Sequence, residues 1–531
     1  TVTPYVKSDV TWTSRASKAT YYDKDGVLRK SSYNELSYSE DFTNSIWLTA
    51  SRATLLTSTG VDSPDGGTNA STWKNGGTST DELIHRFIGG TAGISYTYSV
   101  WLRRRSGSGN INMVVGDNIS QDVSAQVNTE WNRIQITSVP STTTVRAYVR
   151  ILGIGDEVDV WGAQLEKGTY AGDYAKTEGT AASTARTSAY LPDASGNFVS
   201  AGELLLEEQR TNLYTTSALV KSGGIRMTHS DGAIAPNGTE FFVAGTETLD
   251  NGEHYFADRS FTPTVGTTYV FSVYARHQSG TRNLYMRIAA GNVAVANMNL
   301  ISGTSSGGTM TPVGNGVYRC AMVWTATSAT NTVVRLQLIK GTSVSYAGDG
   351  TSTIELWGAQ LEEGSFPTSY IPTQLSTATR AADVSTSSSN TFGNSFYDQE
   401  QGTVFSDSNI ISAGKTQVVW RLAGGTYVAS LRQPQITGTQ FRAVVGSVFS
   451  PAPGTGGTVP GVTRAAVSFS GTAGRFQVGS SGVDVTGSGV TDPNSLYIGT
   501  FGTSTQLNGT IKRLSYWSRR LSNDTLQTLT S

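Results

Sequence analysis

Cysteine occurs once in this chain of 531 residues, at Cys320, so neither a disulfide framework nor a multi-thiolate zinc site can form within one chain. Charge is sparse as well. Charged residues make up 15% of the sequence against about 25% in an average protein, and 39 basic residues against 40 acidic ones leave a net charge of -1. Without a basic surplus to neutralise phosphates, nucleic acid and anionic membranes are not expected partners. No run of about 18 apolar residues occurs, so membrane insertion is not expected, and the start, Thr1 to Asp9, lacks the apolar centre of a signal peptide. The chain therefore reads as soluble and made in a cytoplasm. No heptad or collagen-like stem is present. His85, His229, His254 and His277 share no spacing with a Ser or Cys and include no pair at metal-ligand spacing, so the chain is expected not to be an enzyme.

What the chain does have is glycine, 59 residues of it, together with abundant Ser and Thr. Short strands joined by many turns have this composition, which predicts an all-β protein of three or four domains at about 150 residues each. Internal repetition divides it. Trp161-Gly162-Ala163-Gln164-Leu165-Glu166 returns as Trp357-Gly358-Ala359-Gln360-Leu361-Glu362. Upstream, Tyr98-Ser99-Val100-Trp101 corresponds to Phe271-Ser272-Val273-Tyr274. Arg133 falls beside Arg319, and Val145-Arg146 beside Val334-Arg335. Lead-ins precede both copies: Arg15-Ala16-Ser17 with Tyr22 to Leu28, and Arg186-Thr187-Ser188 with Leu191 to Phe198. An Asp and a Gly flank each turn, which predicts two hairpins.

Six ranges follow: an attachment segment and lead-in hairpin at 1–35, a first module at 36–180, a lead-in linker at 181–212, a second module at 213–380, a linker at 381–390 and a distinct domain at 391–531. The polar run Ser385 to Asn390 marks the last boundary. Within the modules, alternation puts Tyr98, Val100, Leu102, Phe271, Val273, Leu284, Met286, Leu336 and Leu338 on core faces. Two such sheets per module predict a jelly-roll-like sandwich. Near the end, Ser522 is placed to cap a short helix, with Leu521 and Leu526 at the staple positions. The Pro- and Gly-rich stretch Ser450 to Gly461 predicts an exposed loop.

The stretches Asn212-Leu213-Tyr214, Phe271 to Tyr274, Gly314 to Cys320, Tyr346 to Gly350 and Trp357 to Pro372 resemble the carbohydrate-binding-module-like repeats of bacteriophage tail and fibre proteins. Leu507 to Trp517 and Ser518 to Leu526 resemble the laminin-G/concanavalin-A-like lectin sandwich. The resemblance implies tandem jelly rolls followed by a lectin-like sandwich, in a virion fibre or tail protein that meets a host surface glycan. It transfers no ligand site residue by residue.

Parity nominates the candidate binding residues. Trp101 with Arg103, and Tyr274 with Arg276, face away from the core at equivalent positions, where flat rings would stack on sugars and guanidinium groups would donate hydrogen bonds. Arg146, Tyr148 and Arg150 join the first set if their strands are neighbours; Tyr285, Arg287 and Arg335 join the second. The alternative is that these residues form a solvated sheet face or a subunit interface. Glu40-Asp41, matched to Thr216 and Ser217 in the second copy, would suit a structural Ca²⁺, as would Asp156, Glu157 and Asp159, or Asp349 and Glu355; solvated loop acids are the alternative. No catalytic residue, cofactor or other metal is nominated, and Cys320 is expected to be a buried, inert thiol.

These readings combine into a phage virion protein of fibre or tail-tip type. It would be assembled in the host cytoplasm as a homotrimer joined to other tail or baseplate proteins, and would adsorb through multivalent binding to host polysaccharide. Two alternatives stay open: an architectural virion or head-fibre protein without a ligand, and a polysaccharide depolymerase using a carboxylate pair.

Overall fold

The computed structural model describes residues 17, 19–49, 54–77, 82–116, 119–168, 171–172, 174–179, 182–183, 189–198, 204–219, 221, 223–289, 292–383, 401–411, 417–424, 429–433, 442–445, 448–450, 461–471, 473–486, 493–499 and 506–531. Among these the chain is nearly all antiparallel strand, with one α-helix, Asn523–Thr530, and one 3-10 turn, Ser124–Gln126. Residues 31–185 belong to one compact unit, and residues 19–30 with 186–531 to the other.

The first unit is a sandwich of two five-stranded sheets. One runs Ile119–Asp122, Ile111–Gly116, Thr144–Ile151, Glu82–Gly89, Leu48–Thr49; the other runs Asn132–Ser138, Tyr96–Ser106, Glu157–Lys167, Ala70–Lys74, Thr54–Val61. Neighbours far apart in sequence are the mark of jelly-roll winding. Between the sheets lie Tyr98, Val100 and Leu102, the row that alternation assigns to the core, together with Met113, Val149 and Leu165.

The 213–380 module repeats the plan with six strands per sheet. Met227–Ile234, Phe241–Glu247, Thr353–Glu363, Thr268–Ser279, Val317–Thr325 and Thr309–Pro312 form the first sheet. Thr304–Ser306, Ala294–Asn299, Asn283–Ala289, Thr332–Ile339, Asn251–Phe261 and Ser345–Ala347 form the second. Phe271, Val273, Leu284, Met286, Leu336 and Leu338 fill its core, and Cys320 is buried among them. Burial raises the Cys320 thiol pKa far above its usual range, which leaves it an inert packing group.

A third sandwich packs a six-stranded sheet, whose centre is Gln401–Ile410 between Gly509–Trp517 and Gly461–Ser470, around a core that includes Val404, Trp420, Val467, Phe469 and Phe476. At the end of the chain Ser522 caps the helix, its Oγ accepting from the Thr525 amide, while Leu521 and Leu526 are buried against Phe405, Ala466 and Trp517. The loop residues 451–460, the run 385–390 and the lead-in residues 15–16 and 186–188 lie outside the described residues.

The lead-in and linker ranges contribute structure of their own. Thr20–Tyr22 pairs with Leu28–Lys30 around a turn in which Asp23 Oδ1 accepts from the amides of Asp25 and Val27 and Gly26 takes φ 73°. Asp193 forms the same turn with Ser195 and Asn197. Tyr22 bridges to Tyr190, and its ring lies 5.0 Å from that of Phe198. Both lead-ins thus join the unit that holds the second module. Further along, Arg210–Asn212 pairs with Ala378–Arg380, and Leu204–Leu206 adds an edge strand to Gly509–Trp517, placing Leu206 in the core of the last sandwich.

Candidate functional site

The parity argument places all ten candidate residues on outward faces, yet the strand order divides each expected set between two sheets. The Trp101 strand pairs with Asn132–Ser138 and Glu157–Lys167. The strand of Arg146, Tyr148 and Arg150 pairs with Glu82–Gly89 and Ile111–Gly116 in the opposite sheet. In the second copy the Tyr274 strand is separated in the same way from Tyr285, Arg287 and Arg335. Alternation fixes which face a side chain takes but not which strand lies beside it, so the combined sets do not assemble.

Nor are the first two rings open platforms. Trp101 is part-buried and meets Trp161 and Tyr174 edge-on at 5.0 and 5.3 Å, with the Arg133 guanidinium 4.5 Å from its centroid. Tyr274 is 1% exposed, enclosed by Trp357, Tyr370, Phe242 and Val317. A glycine explains this packing. Gly162 and Gly358 adopt φ 64° and 68° where the strand register shifts, and a Cβ there would come within 2.8 Å of the Trp101 ring or 2.7 Å of the Tyr274 ring. The ring lies on bare backbone. Arg103 binds Asp159 through Nε and Nη2, and Arg276 binds Glu355.

The acidic candidates are occupied by the protein itself. Asp159 is shared by Arg103, Arg105 and Thr72; Asp156 takes Arg104 and the Gly109 amide; Glu157 faces Lys74. Asp349 accepts from Ser352, Thr351 and Arg282. Burial would raise its carboxyl, but the Ser352 and Thr351 hydrogen bonds outweigh it and hold the group well below the usual range. Glu40 lines a cleft of about 330 Å³ and is met there by Asn69 and by Lys176 at 3.1 Å, whereas Asp41 serves the Thr43 turn. The match of Glu40-Asp41 to Thr216-Ser217 shifts: Ser39 and Ser217 are the equivalents, bonding Tyr174 and Tyr370 at 2.6 and 2.7 Å. Among the described residues no group of three or more His, Cys, Asp or Glu side chains converges as a metal site. The side chain of His85 lies outside the described ones. His254 is buried between the carbonyls of Arg226 and Tyr346.

One outward face differs in kind. On the second sheet of the 213–380 module, Tyr255, Gln337, Tyr285 and Asn297 form a row across four adjacent strands. The next row is Asp258, Arg335, Arg287 and Val295. Arg335 forms a fork with Asp258 at 2.6 and 2.7 Å, lies 4.1 Å from the Tyr255 centroid and reaches Glu253, which Arg287 also binds at 3.1 Å. These contacts hold the charged row rigid. Gln337 is 0% exposed, and neither Oε1 nor Nε2 has a hydrogen-bond partner. A buried amide without partners costs about 1–3 kcal/mol. Tyr285, Arg287 and Arg335 were legible from alternation. Tyr255 and Asp258 were not, because a register shift between Tyr255 and Ala257 breaks the alternation of their strand.

No protein-family model matches the chain, and no curated protein does. Similar solved structures include the N-terminal CBM22 tandem domain from Paenibacillus barcinonensis Xyn10C, at 11% identity and TM-score 0.22, covering 63% of this chain and 99% of that one. Trypanosoma rangeli sialidase is 10% identical with TM-score 0.23, covering 98% and 97%. The ANXUR2 extracellular domain from Arabidopsis thaliana is 10% identical with TM-score 0.16, covering 66% and 96%. Likenesses this low carry no argument about activity. The expectation that the chain is not an enzyme is withdrawn, because the lack of a histidine constellation does not bear on chemistry that needs carboxylates alone.

Proposed function

We propose that the chain is a glycan-binding β-sandwich protein, and that the row Tyr255, Gln337, Tyr285 and Asn297 is its sugar-contacting surface. The observation that carries this reading is the Gln337 amide, shut off from solvent with both polar atoms unpartnered and with a tyrosine on each neighbouring strand. A sugar hydroxyl, which both donates and accepts, is the natural partner for an amide, and a tyrosine ring offers the apolar face of a pyranose a surface to stack on. To reach the amide a ligand must part the flanking rings. The cost already present in the free protein is then returned on binding.

The setting proposed for this activity is the phage virion, in a fibre or tail-tip protein that adsorbs to host polysaccharide. Many copies, as in a homotrimer repeated on the particle, would raise weak single contacts through effective concentration. Glycan-array binding by the full chain and by its Tyr285→Ala and Gln337→Leu variants tests the reading. Binding that Tyr285→Ala abolishes and Gln337→Leu weakens is expected. A full chain that captures no glycan at any density favours the architectural alternative.

A further inference from the structure

The first sheet of the same module carries a second, separate site, centred on Arg319. Cross-strand pairing sets Arg319 between Tyr274 and the exposed edge residue Thr311. Tyr21 and Tyr22 of the lead-in hairpin, with Phe366 and Tyr370, help to wall a cleft of about 330 Å³ around this position. That volume is at the lower end of the roughly 300–1,000 Å³ of small-ligand sites, room for a sugar ring or two and not for a folded partner.

Two donors in the cleft are left without acceptors. Tyr22 donates its hydroxyl proton to the Tyr274 oxygen at 2.8 Å, so the Tyr274 proton still needs an acceptor, and none is found among the described residues. The Arg319 guanidinium donates through Nη2 to Ser272 Oγ at 3.3 Å; its buried Nε is unbonded, as is the Nε of its counterpart in the duplicate module, so the difference between the two lies at Nη1. The duplicate module shows what is missing. There Arg133, at the equivalent position, donates through Nη1 to the Gly172 carbonyl at 2.6 Å as well as through Nη2 to Ser99 at 3.1 Å. In the second module the corresponding carbonyl, that of Thr368, accepts from Gln360 instead. A part-buried guanidinium so weakly bonded leaves an acceptor position open.

The charge at this position is already balanced. The carboxylates of Glu362 and Glu207 act on Arg319, and both are held by the protein, Glu362 by Gln360 and Thr368, Glu207 by Ser369 and Arg380. Asp383 also lies 3.9 Å from Arg380, so a ligand carboxylate would place a fourth anion beside two cations.

We propose that this cleft binds a neutral pyranose, stacked on the part-exposed rings of Tyr21 and Tyr22, with its hydroxyl oxygens accepting from Arg319 and Tyr274. The site is independent of the Gln337 row, which lies on the opposite sheet.

Saturation-transfer NMR titrations of the full chain with methyl glucoside, methyl galactoside, N-acetylglucosamine and glucuronate test it. At least one neutral sugar is expected to saturate, with glucuronate weaker by about tenfold or more, a difference of about 1.4 kcal/mol. The titrations are read in the Tyr255→Ala, Tyr285→Ala double variant, which removes the Gln337 row; a neutral sugar should still saturate there. Thr311→Trp, at an exposed edge position of the cleft, should abolish the signal that remains in that background, and Arg319→Met should weaken it by about tenfold. The proposal is overturned if no neutral sugar saturates the double variant, if glucuronate binds it as tightly, or if adding Thr311→Trp leaves its binding unchanged. Loss of all signal in the double variant would assign the binding to the Gln337 row instead.

Discussion

Just ahead of the 36–180 module Asn34 donates to the carbonyls of Ala163 and Ala175 and accepts from the amides of Leu36 and Leu165; just ahead of the 213–380 module Asn212 does the same with Ala359, Ile371, Tyr214 and Leu361. Gln164 and Glu166 interlock at 2.7 Å, as do Gln360 and Glu362. Both glycine bulges, both Ser–Tyr pairs and both edge-packed aromatic groups are kept. What differs lies on the outer faces. The position of Gln337 is taken in the first module by Tyr148, which is buried with Val114 beside it, and Arg133 has the carbonyl acceptor that Arg319 lacks. Against the aromatic group of the second module pack Tyr22, Leu28 and Phe198 of the lead-ins; the first module's group, Trp101, Trp161 and Tyr174, packs with Val61, Ala70 and Trp131. Two copies of one fold thus separate what builds the sandwich from what each copy does with its surface. The shared residues satisfy buried backbone groups, and the residues that differ decide where polar groups are left open.

The largest expected effect concerns autonomy. A fragment of residues 31–185 should unfold cooperatively alone, whereas 391–531 should not match the stability of 204–531, because Leu206 and its edge strand complete that sheet. Circular dichroism melts decide it; equal melting of 391–531 and 204–531 would remove the strand's role.

Next comes the shared asparagine. Asn34→Ala and Asn212→Ala each orphan four buried backbone groups and should cost about 3–5 kcal/mol in denaturant unfolding. A cost below about 1 kcal/mol in one module only would break the equivalence of the copies. Smaller and unequal effects are expected at the ring on the glycine. Tyr274→Ala, in a closed cluster, should cost about 3 kcal/mol, and Trp101→Ala, at a part-exposed position, about 1–2 kcal/mol. Equal costs would show that the two aromatic groups are enclosed alike.

The smallest effect is in pH. Burial lowers the pKa of His229 in the folded state, and its ring packs 5.5 Å from Phe256. The unfolded chain then binds the proton more readily. The His229 contribution is complete above the unfolded value of about 6.5 and declines as pH falls below it. His229→Phe should flatten the stability profile between pH 7 and 5, a region where the first module has no counterpart for this group.

The cores were legible because alternation is a local signal: Val100, Val273, Leu284 and Leu336 needed nothing beyond their neighbours in sequence to be placed. The repeat was legible because Trp161 to Glu166 recurs almost unchanged. Sheet partnership was not, since jelly-roll winding sets strands beside each other by long crossovers, and this separated Tyr148 from Trp101 and Tyr285 from Tyr274. The bonds of Asn34 and Asn212 span 129 to 159 positions, which no local pattern reveals. The unpartnered amide of Gln337 was hidden for a different reason. Nothing in its own strand distinguishes it from its neighbours until the tyrosines on either side are known.

The near-identity of the two Trp-Gly-Ala-Gln-Leu-Glu strands also has a consequence for biogenesis. Each strand is central to its sheet, and each carries the features that the other module's slot would accept. Synthesis proceeds from the N-terminus, and domains generally fold as units as they emerge. The strand Glu157–Lys167 therefore takes its place before Thr353–Glu363 exists to compete for it. Renaturation from denaturant removes that order. Both strands then search at once, and a lower yield of native chain than from folding during translation is the expected outcome, to be read from the recovered native fraction.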